Sequence, residues 1–83
     1  MHFASSNFWH CYRHLPKSIQ KIADKNFKIL KSNSSHPSLY FKKIGKYRSV
    51  RIGLSYRALA VESENGLLWF WIGDHSEYDE MTL

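Results

Sequence analysis

Leu67 to Tyr78, LLWFWIGDHSEY, decides the fold. Its first six residues, Leu67, Leu68, Trp69, Phe70, Trp71 and Ile72, are all large and apolar. A run this rich in aromatics and too short for a membrane span reads as a strand buried on both faces. Gly73-Asp74 then reads as a turn, and His75, Ser76, Glu77 and Tyr78 follow at once. Titratable groups are thus delivered at the end of the most buried element, where a rigid strand holds catalytic side chains well. The plainer alternative for His75 is a turn histidine satisfied by the backbone.

Three more strands lead up to this one: Leu39 to Ile44, Tyr47 to Leu54 and Tyr56 to Val61. They are joined at Gly45-Lys46, near Ser55, and through Glu64-Asn65-Gly66, which carries an Asn-Gly turn signal. Links this short imply antiparallel hairpins, so the sheet is a meander. Period-two alternation puts Val50, Ile52 and Leu54 on one face and Tyr47, Ser49 and Arg51 on the other. Tyr56, Ala58 and Ala60 share a face that a helix can approach closely, leaving Arg57 with Leu59 and Val61, alongside Arg51. By the same rule Trp69 and Trp71 share one face, opposite Leu68, Phe70 and Ile72. One bulge would invert these assignments.

The N-terminal part supplies the cover. Phe8, Tyr12 and Leu15 fall at i, i+4 and i+7, the stripe of a short helix, with Ser5, Ser6 and Asn7 as cap candidates. Pro16 suits the first turn of a second helix, in which Ile19, Ile22, Ala23, Phe27 and Leu30 make an apolar face and Lys17, Lys21, Lys25, Lys28 and Lys31 the other. It stops in Ser32-Asn33-Ser34-Ser35-His36-Pro37. His10 and His14 have metal-clamp spacing, but no further ligand matches it, and surface or half-packed histidines are the better reading. The predicted architecture is α+β: a helical hairpin on one face of a small twisted antiparallel sheet.

Eighty-three residues make a single domain, 1–83, which buries only roughly 60–65% of its unfolded surface. Hydrophobic content of 43% and aromatic content of 16% argue against disorder. A lone Cys11 excludes an internal disulfide and fits a reducing compartment. Neither a signal peptide nor a membrane span is expected, so a cytoplasmic location is. The net charge of +5 conceals a polarity: all twelve Lys and Arg lie within residues 1–57, opposed there only by Asp24. Such a basic body favours a polyanion or an acidic protein partner, although lysines on a helix's outer face are usually just solvated.

A basic helical hairpin followed by LYFKKIG, YRSVRIG, SYRALAV and WFWIGDHSEYDEM resembles the RelE/ParE superfamily of type II toxins. Within it, the Trp-Phe-Trp-Ile-Gly-x-His-x-x-Tyr ending is most similar to RelE/HigB-like toxins. Members usually begin with a β-strand, which Met1 to Ser6 is too short and polar to predict. The resemblance implies a RelE-like fold with a short C-terminal helical turn. It also implies a metal-free endoribonuclease, without cofactor, that cuts translated mRNA on the ribosome and pairs with a cognate antitoxin. Carried over by motif, the catalytic candidates are Arg57, Arg51, His75 and Tyr78. Lys42, Lys43, Lys46 and Arg48 are candidate RNA-backbone contacts.

The chemistry asked of such a site is modest, because RNA brings its own nucleophile, the 2′-OH. His75 is the best general acid or base, since imidazole is the side chain that ordinarily changes charge near neutrality. Arg51 and Arg57 supply planar donors for non-bridging oxygens. Tyr78 suits base stacking or proton donation. Glu77 and Asp79 are poorer bases, since carboxylates beside a phosphate path repel substrate. Two other readings stay open: a ParE-like toxin that poisons DNA gyrase and cleaves nothing, and a decayed RNA- or antitoxin-binding module.

Overall fold

The computed structural model describes residues 1–82. β2 (Lys42–Ile44), β3 (Tyr47–Ile52), β4 (Tyr56–Ser63) and β5 (Gly66–Asp74) form the expected antiparallel meander. A fifth strand, β1 (His2–Ala4), lies parallel to β5 on its far side, so the sheet is mixed and its order is β1-β5-β4-β3-β2. No periodicity announces β1, because it is held by backbone and by one side chain. Leu67 N donates to the Met1 carbonyl at 2.9 Å, Ser5 N to that of Trp69 at 2.9 Å, and Trp69 Nε1 to His2 Nδ1 at 3.0 Å. The apolar β5 is therefore an interior strand.

Two helices cover one face. α1 (Ser6–Arg13) starts at the N-cap Ser5, whose hydroxyl accepts from Phe8 N, and α2 (Lys17–Ser32) starts after Pro16. Tyr12 ties them together by donating to Asp24 Oδ1 at 2.8 Å. Under them Phe8, Leu15, Ala23, Leu30, Val50, Ile52, Ala58, Ala60, Trp69 and Ile72 form the main core, with Ile19, Ile22 and Phe27 half-buried around it. Each fully buried aliphatic side chain there contributes about 1.5–3 kcal/mol. Ala58 and Ala60 sit on the helix-covered face, where small side chains allow close approach. Leu54 does not join them: it lies in the β3–β4 turn and is 85% exposed.

The two tryptophans separate. Leu59 pairs with Trp71, but Ala60 pairs with Trp69, so Phe70 is an extra residue in β5 and the alternation slips by one. Trp69 enters the main core with Ile72. Trp71 instead joins a second cluster on the opposite face with Leu59 and Tyr78. Phe70 packs beside that second cluster, and its carbonyl accepts from Asn7 Nδ2 at 2.8 Å. The side-chain amide of α1 thus satisfies the backbone group at the bulge.

Gly73-Asp74 is strand rather than turn. Its glycine is required by packing: a Cβ at Gly73 would lie 2.5 Å from the Trp71 indole, which folds across it. Asp74 then caps α3 (His75–Met81), two helical turns whose Tyr78 is buried against the sheet. β2 also begins later than its sequence suggests, because Pro37–Leu39 forms a 3-10 turn and Tyr40 adopts a left-handed conformation with φ 46°. Among the described residues no helix is long and apolar enough to cross a membrane.

Candidate nucleic-acid interface

The face away from α1 and α2 is set by register. Arg51 lies directly opposite Arg57, and Arg57 opposite Gly73, making one row of residues across three strands. The next row carries Lys42, Ser49, Leu59 and Trp71. Paired residues point to the same side, so Arg51, Arg57 and Lys42 share this face. α3 lies over part of it and brings Tyr78 and His75.

Arg57 is held between sheet and helix. Its guanidinium carbon lies 5.0 Å from the Tyr78 ring centre, a cation–π arrangement, and one terminal nitrogen reaches Ser49 Oγ at a long 3.4 Å. Ser49 is wholly buried. Arg57 Nε and the Tyr78 hydroxyl are closed to solvent and have no hydrogen-bond partner among the described residues. Tyr78 is only 4% exposed, so its ring is a wall under Arg57 rather than a surface for a stacked base.

His75 is the first residue of α3, and its ring centre lies 5.7 Å from that of Tyr78, the ring on which Arg57 is also held. Its Nδ1 is 3.1 Å from Asp79 Oδ2, and both side chains are about half exposed. A carboxylate only accepts, so Nδ1 carries the proton, and in the neutral imidazole Nε2 is the free acceptor. The helix start is fixed by Asp74, which accepts from Glu77 N at 3.0 Å and from Ser76 Oγ at 2.8 Å. Those bonds, the Glu77 amide first, hold the Asp74 carboxyl below the ordinary carboxylate value.

Arg51 and Arg57 are neighbours in register, but their head groups part. The Arg51 guanidinium lies 4.7 Å from the Tyr40 ring centre, and its Nε donates to the Gly53 carbonyl at 2.8 Å. Lys46, in the β2–β3 turn, places Nζ 5.5 Å from the Tyr47 ring centre, and Tyr47 lies on the same face. Lys43 and Arg48 go elsewhere. They pair with each other and Arg48 pairs with Ala60, which puts both on the helix-covered side, and Arg48 forms an ion pair with Glu62. Of the eight basic, imidazole and aromatic candidates, those two are not brought to the shared face.

Two residues here escape a reading of the sequence. Asp79 carries a signal in its i, i+4 spacing from His75, legible once α3 is known to be a helix. Tyr40 carries none, since its position depends on a left-handed backbone. His10 and His14 are exposed, with His14 Nδ1 2.8 Å from the His10 carbonyl. Among the described residues no group of three or more His, Cys, Asp or Glu is placed to hold a metal ion.

A five-stranded mixed sheet with a helical hairpin on one side is the build of a RelE/ParE-type toxin. Residues 17–80 match the ParE-like toxin domain, and the chain belongs to that family, a toxin of a toxin-antitoxin system. The fold also superposes on one chain of the crystallised RelB-RelE antitoxin-toxin complex from Methanococcus jannaschii, with a TM-score of 0.74. That likeness covers 98% of this chain and 99% of the other at 19% identity, and it speaks for the fold, β1 and α1 included. No curated protein is matched.

Proposed function

We propose that this toxin is a metal-independent endoribonuclease that cuts mRNA on the ribosome. The observation that carries the reading is the Tyr78 ring, with the Arg57 guanidinium 5.0 Å from it and the His75 ring 5.7 Å from it. A cation for a phosphate and an imidazole for its protons thus share one aromatic wall. In the reaction the 2′-OH attacks the adjacent phosphorus, the O2′–P bond forms and the P–O5′ bond breaks. A 2′,3′-cyclic phosphate and a 5′-OH result. His75 Nε2 takes the 2′ proton, or in its charged form gives one to O5′. Arg57 neutralises charge on the non-bridging oxygens, and Arg51, Lys42 and Lys46 hold flanking phosphates.

The same basic face suits an acidic or amphipathic antitoxin segment, and a solved structure of similar fold is part of an antitoxin-toxin complex. The working location is the cytoplasm, as a single toxin domain. A gyrase-directed toxin is the second reading. It is favoured by the ParE-like family match and by the closure of Arg57 Nε and the Tyr78 hydroxyl to solvent. The deciding experiment is primer extension on mRNA from expressing cells, with and without chelator in the reconstituted reaction, beside a gyrase supercoiling assay. Cut mRNA with intact supercoiling activity supports the nuclease. Growth arrest with uncut mRNA and inhibited gyrase overturns it.

A further inference from the structure

Tyr40 is an exposed aromatic held in a backbone conformation that bulky residues avoid. Its φ of 46° is left-handed, it is 57% exposed, and it ends the 3-10 turn of Pro37–Leu39. A non-glycine residue stays there only when its surroundings over-determine it, and such residues gather at sites that bind. Leu39, immediately before it, is wholly buried and anchors the turn. Continuing the β2–β3 register two residues beyond the Lys42–Ser49 pair sets Tyr40 opposite Arg51. The 4.7 Å separation of ring centre and guanidinium carbon agrees with that register. The row across the sheet therefore reads Tyr40, Arg51, Arg57 and Gly73, with Tyr78 of α3 against the Arg57 guanidinium.

We infer that Tyr40, with Arg51 against it, is a stacking position for one unpaired base of the RNA strand, outside the cutting site. This rests on the RNA-cleaving reading and adds a subsite to it. Tyr78 cannot take a base, being buried, whereas Tyr40 offers the ring that stacking needs at the other end of the row. The Gly53 carbonyl fixes the Arg51 plane through Nε, and the terminal nitrogens have no protein acceptor among the described residues. They are left for a phosphate or a base edge while the plane packs on Tyr40. An unpaired strand entering at Tyr40 is directed along the arginines toward Tyr78 and His75. A duplex keeps its bases stacked inside and gains nothing from the ring.

The experiment is binding of a short single-stranded RNA carrying 2-aminopurine, followed by anisotropy and by quenching of the base. Tyr40→Asn is the informative variant, because asparagine tolerates a left-handed backbone and so removes the ring without unfolding the turn. It should weaken binding by roughly tenfold or more and lose the quenching, while the salt dependence stays at the wild-type slope. Tyr40→Phe should bind as wild type. Ser18→Ala, an exposed position on α2, should change neither signal. If Tyr40→Asn binds and quenches like wild type while Arg57→Ala binds less, the subsite is wrong and the RNA reading stands. If the unaltered protein binds no RNA at low salt, the subsite falls, and the nuclease reading is decided by primer extension alone.

Discussion

Asp79 accepts from His75 across one turn of α3, Oδ2 to Nδ1 at 3.1 Å, so that the catalytic imidazole we propose is oriented by its own helix. Removing the imidazole and removing its partner should then have different signatures.

His75→Ala should lower ribosome-dependent cleavage by about 10²–10⁴-fold while the melting temperature stays near wild type, since the side chain is half exposed. Asp79→Asn should give a smaller loss, of roughly tenfold, because the ring is then less firmly oriented. Cleavage of a programmed mRNA by the two variants measures both. Loss of activity in His75→Ala with an unfolded circular dichroism spectrum would instead make His75 structural.

Arg57→Ala should cut the rate by roughly 10²-fold or more through lost charge stabilisation. Arg57→Lys should rescue it poorly, because a point charge does not reproduce the planar contact with Tyr78. Primer extension on expressed variants is the readout. Growth arrest as strong as wild type, from either His75→Ala or Arg57→Ala and without cut mRNA, would favour the gyrase target.

Gly73→Ala tests packing rather than chemistry. The new methyl lies 2.5 Å from the Trp71 indole and within the strand opposite Arg57, so the ring must shift or the strand must bend. A loss of about 1–3 kcal/mol in urea unfolding is expected. An unchanged midpoint would mean that Trp71 moves freely.

His2 makes stability depend on pH. Burial first, then the neighbouring amino terminus and Lys31, pull its pKa below the ordinary 6.5, and its Nδ1 must stay unprotonated to accept from Trp69 Nε1. A histidine with a depressed folded pKa contributes fully above its unfolded value. Stability should therefore fall as pH drops below about 6.5, until the folded value is passed. Urea melts at pH 7.5 and 5.5 measure this, and His2→Asn should remove that part of the difference. A wild-type midpoint independent of pH over that range would refute the linkage.

Lys28, exposed on the outer side of α2, stands for charge without geometry. Lys28→Ala should weaken RNA binding slightly and lower the slope of log affinity against log salt by about 0.7, leaving cleavage at saturation unchanged. A tenfold fall in saturated cleavage would place α2 inside the catalytic machinery.

Most of the meander and the helical hairpin were legible because both rest on periodicity: the 3.6 spacing of Ile19, Ile22, Phe27 and Leu30, and the alternation around Val50 and Ile52. What stayed illegible was whatever breaks a period. The bulge at Phe70 divides Trp69 from Trp71, and six consecutive large apolar residues give no cue to where a strand slips. Gly73 reads as a stop by composition, yet it is there to let an indole pass. β1 is too short to carry a period and is recruited by the exposed flank of β5. On the interface, the shared face of Arg51 and Arg57 followed from parity, whereas Lys42 was named through the resemblance alone. Arg48 has the parity of Val50 and Ile52 and goes with them to the far side, beside Glu62, and Tyr78 went inside because α3 folds back.

The pairing of β1 with β5 also orders events in time. β1 precedes the helical hairpin and β5 follows the meander, so the flank of the sheet closes only after β5 has been made. Until then Trp69 is missing from under the hairpin, and no second cluster exists for Arg57 to lean on. Contacts of such long sequence separation form late and slowly. A nascent chain therefore lacks the face we propose for RNA until β5 and α3 have both emerged.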